Sequence, residues 1–582
     1  MQDELRESHF EAVVIGTGLT QSIVAAALAA ANKPIIHIDE SEAYGGPHAS
    51  LSLAELSSFD PTFHPSLVSR QYSLSLTPHL IPATGPFIAA LVNSGVSRYG
   101  SFVLPKRVVV RTQEGFKNVP ANKQDVFRDK AIGLVQKRRL IKFLMFASGE
   151  FEGSSELDGK ETIPLLEFVQ EVFGIDKELA EALSYAVAFC VNAKDQTLPA
   201  LLRTRTYLRS VGRYGPSPFL IGHYGGAGEL AQGFCRTCAV GGGTYVLGRK
   251  VMSITRHVGS EEERKETTHR SLTTSSGKTF TSYHPPSTFE GYGTEGVEVP
   301  AREPEEPEAE RSKAQTEVEA QTPGEPESKT QSEDQPRAQA EDAHPPAPTG
   351  PYFRIQLEGF AAPFTARIVI GPEKWLASIL DGPNPSEEPK SDEPKLTNTI
   401  RAILITDSPT TFAPPSEQPT SEPAGETKLD ESIIIFPSEE GAVSVLVNGA
   451  STMSCPDGKC VLYFAAQSTQ DPKEFFAKYI SAVLDACSPK PEVWGEVYWR
   501  EREVDRTVVR HAGPSPQPSL REEEKYPYST THFTEGSDAA AREAERVFWD
   551  ALGEQPGEDG KGKDGVEFFA RVQREDDLFD DD

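Results

Sequence analysis

Gly16, Gly18 and Asp39 stand at the spacing of a dinucleotide-binding turn. In that chemistry the first glycine makes a tight turn, the second lets a pyrophosphate approach the backbone, and the carboxylate takes ribose hydroxyls. The pattern asks for a third glycine where this chain has Gln21. A long amide there changes how helix and strand meet, so the spacing argues for the fold and against the cofactor. Cys235 and Cys238 form a CxxC, but Cys455 and Cys460 do not complete a zinc framework. Thiols three apart on a helix pack as small hydrophobes. The 12 histidines include no HxxxH or HExxH pair, and neither a G-x-S-x-G elbow nor a P-loop is present. Nothing here argues for catalysis or a metal. Glu229 and Arg236, seven apart, share a helix face. They suit charge-assisted contacts to a polar protein surface, or remain two solvated charges. Lys137-Arg138-Arg139 reads equally as an ordinary solvated face.

These residues need positioning elements. The run at 10–15 reads as a strand, 22–31 as a helix and 34–38 as a second strand, a βαβ unit. The helical pattern at 162–191 breaks near Gly174, and 199–212 reads as a helix with an early proline and a terminal glycine. The Pro-Ser-Pro of 216–218 and the glycines at 225, 226 and 228 are expected to mark a loop. Order resumes at Tyr352, with strand-like runs at 400–406, 432–436, 442–447 and 460–466. Helices follow at 472–487 and 538–552, and an acidic tail ends the sequence.

Composition locates what lies between. Residues 301–350 hold 13 Asp/Glu, 5 Lys/Arg and 8 Pro. Such a segment cannot bury enough apolar surface to offset its ordering entropy, so 259–349 is expected to be a disordered insertion. Shorter polar inserts are expected at 382–396 and 408–430. The whole chain of 582 residues carries a formal charge of −29, which argues against a protein devoted to phosphate backbones. Six cysteines are too few for a disulfide scaffold. A charged amino-terminal stretch and no apolar run of about 20 residues lead us to expect a cytosolic protein with reduced thiols. Any membrane contact would be peripheral.

Longer motifs carry a family resemblance. GTGLTQSIVAAALAA (16–30), HIDESEAYGGPHASL (37–51), QKRRLIKFLMF (136–146), GRYGPSPFLIGHYGGAGELAQGFCRTCAV (212–240) and GGGTYVL (241–247) occur in one order. Together they resemble the Rab GDP-dissociation inhibitors and Rab escort proteins, over about 10–256, at 400–406 and in the C-terminal region. The polar insertions, FCRTCAV and RAILITDS look more like the escort branch.

The resemblance implies an α/β (α+β) fold without a bound flavin. Its flavoprotein-like domain, with mixed sheets, would span 1–130, 212–258 and 350–510. A smaller all-helical domain would span 131–211, and a C-terminal extension with a helix and acidic tail 511–582. It further implies a non-catalytic partner of Rab GTPases. Such a protein binds GDP-form Rab, presents it to the geranylgeranyltransferase α/β heterodimer, shelters the geranylgeranyl lipid, and meets membranes transiently. The Rab-binding residues carry over to Tyr44, Glu229, Arg236, Thr244 and Val246. Ala43 replaces one tyrosine of the usual pair. Phe102, Val103, Leu104, Val108 and Val110 would receive the Rab C-terminus, and Tyr207 and Leu208 would dock the transferase. Rival readings are a dissociation inhibitor that recycles prenylated Rab, a FAD-dependent oxidoreductase, and a disordered scaffold.

Overall fold

The β-branched run ending in Ile15 forms the strand His9–Ile15, whose Val13 and Val14 are fully buried. The chain turns at Gly16 (φ 89°) and enters a helix built almost wholly from alanine, leucine, isoleucine and valine. The computed structural model describes residues 9–120, 126, 132–257, 350–380, 396–412, 427–438, 441–514, 533–557 and 559–570, plus short strands Glu4–Leu5 and Leu272–Thr273. The acidic insertion expected at 259–349 lies almost wholly outside these residues, as do 382–395 and the acidic tail. Of the insert expected at 408–430, the two ends are strands: Thr411–Phe412 pairs with Thr427–Lys428.

The helices among the described residues are α1 Leu19–Ala30, α2 Pro86–Asn93, α3 Leu134–Ser148, α4 Leu165–Phe173, α5 Lys177–Ala182, α6 Thr197–Ser210, α7 Ala227–Val240, α8 Glu373–Leu380, α9 Pro472–Asp485 and α10 Gly536–Leu552. Local chemistry sets several ends. Gly174, at φ 66°, terminates α4. Two residues later Asp176 caps α5, its Oδ1 accepting the Leu179 N–H at 3.0 Å. Asp471 caps α9 the same way, with Pro472 at the first helical position.

Two mixed sheets organise these helices. In the first, Thr244–Leu247, Ile35–Asp39, His9–Ile15 and Phe364–Pro372 run parallel. Tyr352–Leu357 and then Val251–His257 continue it antiparallel, and Thr507–His511 pairs with Phe364–Pro372. One face packs α1, α2, α7 and α10; the other packs α8 through Leu376. The second sheet has eight strands, among them Arg107–Thr112, Ser432–Phe436, Val443–Asn448, Cys460–Gln467, Leu396–Thr406 and Val493–Arg502. It shares one core with α3 to α6 and another, on its opposite face, with α9. The fold is therefore mixed α/β, with its four-helix region continuous with the second sheet's core.

The C-terminal stretch expected as an extension supplies core. Val547, Phe548 and Trp549 of α10 are wholly buried, and α10 packs on α1 and α2.

Candidate functional site

The degenerate turn is filled by its own chain. Asp39 Oδ2 accepts from the Thr17 N–H (2.7 Å) and hydroxyl (2.6 Å), and Oδ1 accepts from the Ser41 N–H (2.9 Å). Three protein donors thus already draw on the carboxylate that a ribose would use. A Cβ placed on Gly18 would lie 2.6 Å from Gln21 Oε1, so the amide covers the place where a pyrophosphate approaches. Gln21 is held there by donating from Nε2 to Thr507 Oγ1 at 3.0 Å. The Gly45–Gly46 turn also closes over it, the Gly45 N–H donating to Thr17 O at 3.2 Å. These residues do not fit a dinucleotide.

Beneath the turn, buried His37 donates from Nε2 to Gly16 O (2.6 Å) and accepts at Nδ1 from the Tyr245 hydroxyl (3.1 Å). Burial lowers its pKa to about 4. Cys235 and Cys238 are buried free thiols on α7, their pKa pushed up to about 12 by burial. No group of three or more His, Cys, Asp or Glu among the described residues could hold a metal ion.

Tyr44 follows the strand Ile35–Asp39, Glu229 and Arg236 stand on α7, and Thr244 opens the edge strand Thr244–Leu247 of the first sheet. Gly225 and Gly226 take positive φ to deliver the chain into α7. At Gly228 a Cβ would lie 2.7 Å from His48 O and from Ser50 N, so only glycine lets the 45–50 loop rest on the first turn of α7. That contact sets Tyr44, whose ring meets Tyr245 edge-on at 6.1 Å. Glu229 is exposed, and the protein around it raises its carboxyl pKa by desolvation. Arg236 is half-buried, its guanidinium 4.3 Å above the ring of Tyr99. Val246 is a correction. It is 3% exposed within the core between the first sheet and α8, and offers no surface to a partner. Tyr99 was missed, since one aromatic in VSRYG carries no periodic signal.

The second group surrounds a cavity of about 930 Å³. Val108 and Val110 line it from a strand, Leu140, Ile141, Leu144 and Met145 from α3, Leu179 from α5, and Leu208 from α6. Phe102–Val103 pairs with Phe219–Gly222, and Phe219 lines the same cavity. Leu104 packs against Gly215, next to the lining residue Pro216. Phe102 to Leu104 thus lead toward the cavity. Tyr207 is the second correction. Only 4% exposed, its ring sits edge-on to Phe219 (4.8 Å) and Phe189 (5.8 Å), so it forms wall and not docking surface. Nor is the basic triplet a fully solvated face: Lys137 is buried, while Arg138 and Arg139 are exposed.

Residues 5–271 match the family model described as GDP dissociation inhibitor. "Rab proteins geranylgeranyltransferase component A" of Drosophila melanogaster is 33% identical over 298 residues, 45% of this chain and 57% of that protein. The Rab GDP-dissociation inhibitor of Saccharomyces cerevisiae is 31% identical over 265 residues, 42% of this chain and 57% of that protein. The chain thus spans about half the length of these curated relatives. The fold is similar to the crystal structure of Rab GDI from Plasmodium falciparum, with a TM-score of 0.55 at 17% identity, covering 94% of this chain and 99% of that one. With the dinucleotide turn closed by its own side chains, residues 5–271 are similar in sequence to the GDP dissociation inhibitor family, and the fold to that of a Rab GDI.

Proposed function

We propose that this protein is a Rab escort protein without catalysis of its own. It binds a newly made Rab GTPase in the GDP form, presents it to the geranylgeranyltransferase heterodimer, and keeps the prenylated product soluble until it reaches a membrane. The cavity carries this reading: Val108, Val110, Leu140, Ile141, Leu144 and Phe219 give it an apolar wall, while the exposed Arg111, Glu114, Lys177 and Glu178 also border it. Its size is that of pockets which enclose a small ligand almost completely. Burying the roughly 20 carbons of a geranylgeranyl chain at ~0.8 kcal/mol each contributes over about 10 kcal/mol gross. A carrier needs a contribution of that order to compete with lipid. Phe102 to Leu104 would guide the Rab C-terminus from the α7 surface toward it.

The deciding experiment is prenylation of a GDP-loaded Rab by the purified heterodimer, with and without this protein. Strong stimulation is expected. Extraction of prenylated Rab from membranes without stimulation would identify a dissociation inhibitor instead. Arg236→Ala should weaken Rab binding by about 2 kcal/mol, near thirtyfold in Kd, with little change in thermal stability; unchanged affinity would remove Arg236 from the binding surface.

With Tyr207 buried, half-buried Leu208 remains of the expected docking pair, and we add the first turn of α3 as a docking surface for the transferase. There Leu134 is 77% and Val135 60% exposed on the first turn, with exposed Arg138 one turn on, and none of the three lines the cavity. Val135→Glu should lower the prenylation rate severalfold while Rab affinity holds. Loss of Rab affinity with it would place this face elsewhere in the mechanism.

A further inference from the structure

We propose that Tyr99 is a positioning residue for Arg236: its ring holds the guanidinium in the orientation that meets a carboxylate or carbonyl of the bound protein. The inference rests on the Rab-binding reading of the α7 surface and adds a residue to it.

Three observations carry it. First, the guanidinium carbon lies 4.3 Å from the ring centroid, inside the range of a cation–π contact. Second, the ring itself is held. Tyr99 follows the 3₁₀ turn Val96–Arg98, its N–H donating to Val96 O at 2.9 Å, and the turn enters from Gly95 at φ 76°. Val96 is buried against α7 at Gly233, where a Cβ would lie 2.8 Å from Val96 Cγ1. Gly233 stands three residues before Arg236, so its missing side chain lets the turn approach α7 one helical turn below the arginine. Third, the pair faces outward. Tyr99 is 50% exposed, and Arg236 forms no ion pair with a described residue.

An arginine free to rotate loses rotamer freedom when it binds. One already laid on a ring has lost it beforehand and keeps its N–H edge for the partner. Glu229 lies on the same helix face two turns earlier, so the surface offers an acceptor and an oriented donor at a fixed separation.

The test has a partner arm and a partner-free arm. GDP-loaded Rab is titrated against wild type, Tyr99→Ala, Tyr99→Phe, Arg236→Ala and the double variant Tyr99→Ala/Arg236→Ala. Tyr99→Ala is expected to weaken binding about three- to fivefold, the size of an exposed cation–π contact. Tyr99→Phe should restore it, and Tyr99→Ala should add nothing once Arg236 is alanine. Equal losses in both backgrounds would overturn the proposal. In the partner-free arm, phenylglyoxal modification of Arg236 is followed by peptide mass mapping. It should quicken in Tyr99→Ala and not in Tyr99→Phe; an unchanged rate in Tyr99→Ala would also overturn it. If wild type binds no Rab, the Rab reading falls, while the phenylglyoxal rates still decide the role of Tyr99.

Discussion

Replacing Trp549 by alanine should cost about 3–5 kcal/mol, a large fraction of the roughly 5–15 kcal/mol that holds a typical protein folded. Trp549 is wholly buried and packs with Phe548 at a ring separation of 5.0 Å. The helix that carries it covers α1, whose residues from Leu19 to Ala29 are buried except Gln21. An alanine-rich helix makes few contacts per residue, so α1 depends on large side chains from its neighbours. Removing the indole leaves a cavity that this small-residue face cannot collapse to fill. The effect should therefore reach the Gly16 turn and the α7 surface, more than 300 residues earlier in the chain. Urea unfolding and limited proteolysis check it. Arg542→Ala on the exposed side of the same helix is the control and should stay within about 0.5 kcal/mol of wild type. Equal effects of the two substitutions would remove α10 from the core.

How much of this was legible depends on whether a feature is local. Strands such as Ser432–Phe436, buried at every position, appear in the sequence as unbroken apolar runs because both faces of the sheet are covered. The βαβ opening was legible from its apolar runs and glycines, and the α4–α5 break from Gly174. Sheet order was not. Arg107–Thr112 lies beside Ser432–Phe436 across more than 300 residues, and no local pattern records that pairing. Side-chain depth failed for the same reason. Val246 and Tyr207 sit at positions whose exposure is set by distant strands and loops, so a motif could name them but not say which way they face. Glu229 and Arg236 were legible together because their spacing alone places them on one helix face.

Acidification should destabilise the protein between about pH 6.5 and 4. His37 and His48 have pKa values lowered to about 4, and His79 is also pushed well down, in each case chiefly by burial. Arg401 adds to the lowering of His48 and His79, which lie with their rings 5.4 Å apart. A histidine whose folded pKa lies below its unfolded value takes up its proton on unfolding. Its contribution is therefore complete above about pH 6.5 and is lost as pH falls toward 4. One such group is worth roughly 3 kcal/mol across that window. Asp538 works the other way. Burial raises its pKa to about 6, so its protonation favours the folded state as pH falls. Glu229, Asp430 and Glu543, also raised by burial, act in the same sense as Asp538, while His9, lowered to about 4, adds a fourth histidine to the loss, and the histidines set the direction. Urea midpoints measured from pH 7.5 to 4.5 should fall accordingly. His37→Gln, uncharged throughout, should be less stable at pH 7.5 because an amide replaces a ring bonded to both Gly16 and Tyr245, but its midpoint should fall less on acidification. A wild-type midpoint that is flat or rises toward pH 4.5 would show that these histidines are not held neutral by the fold.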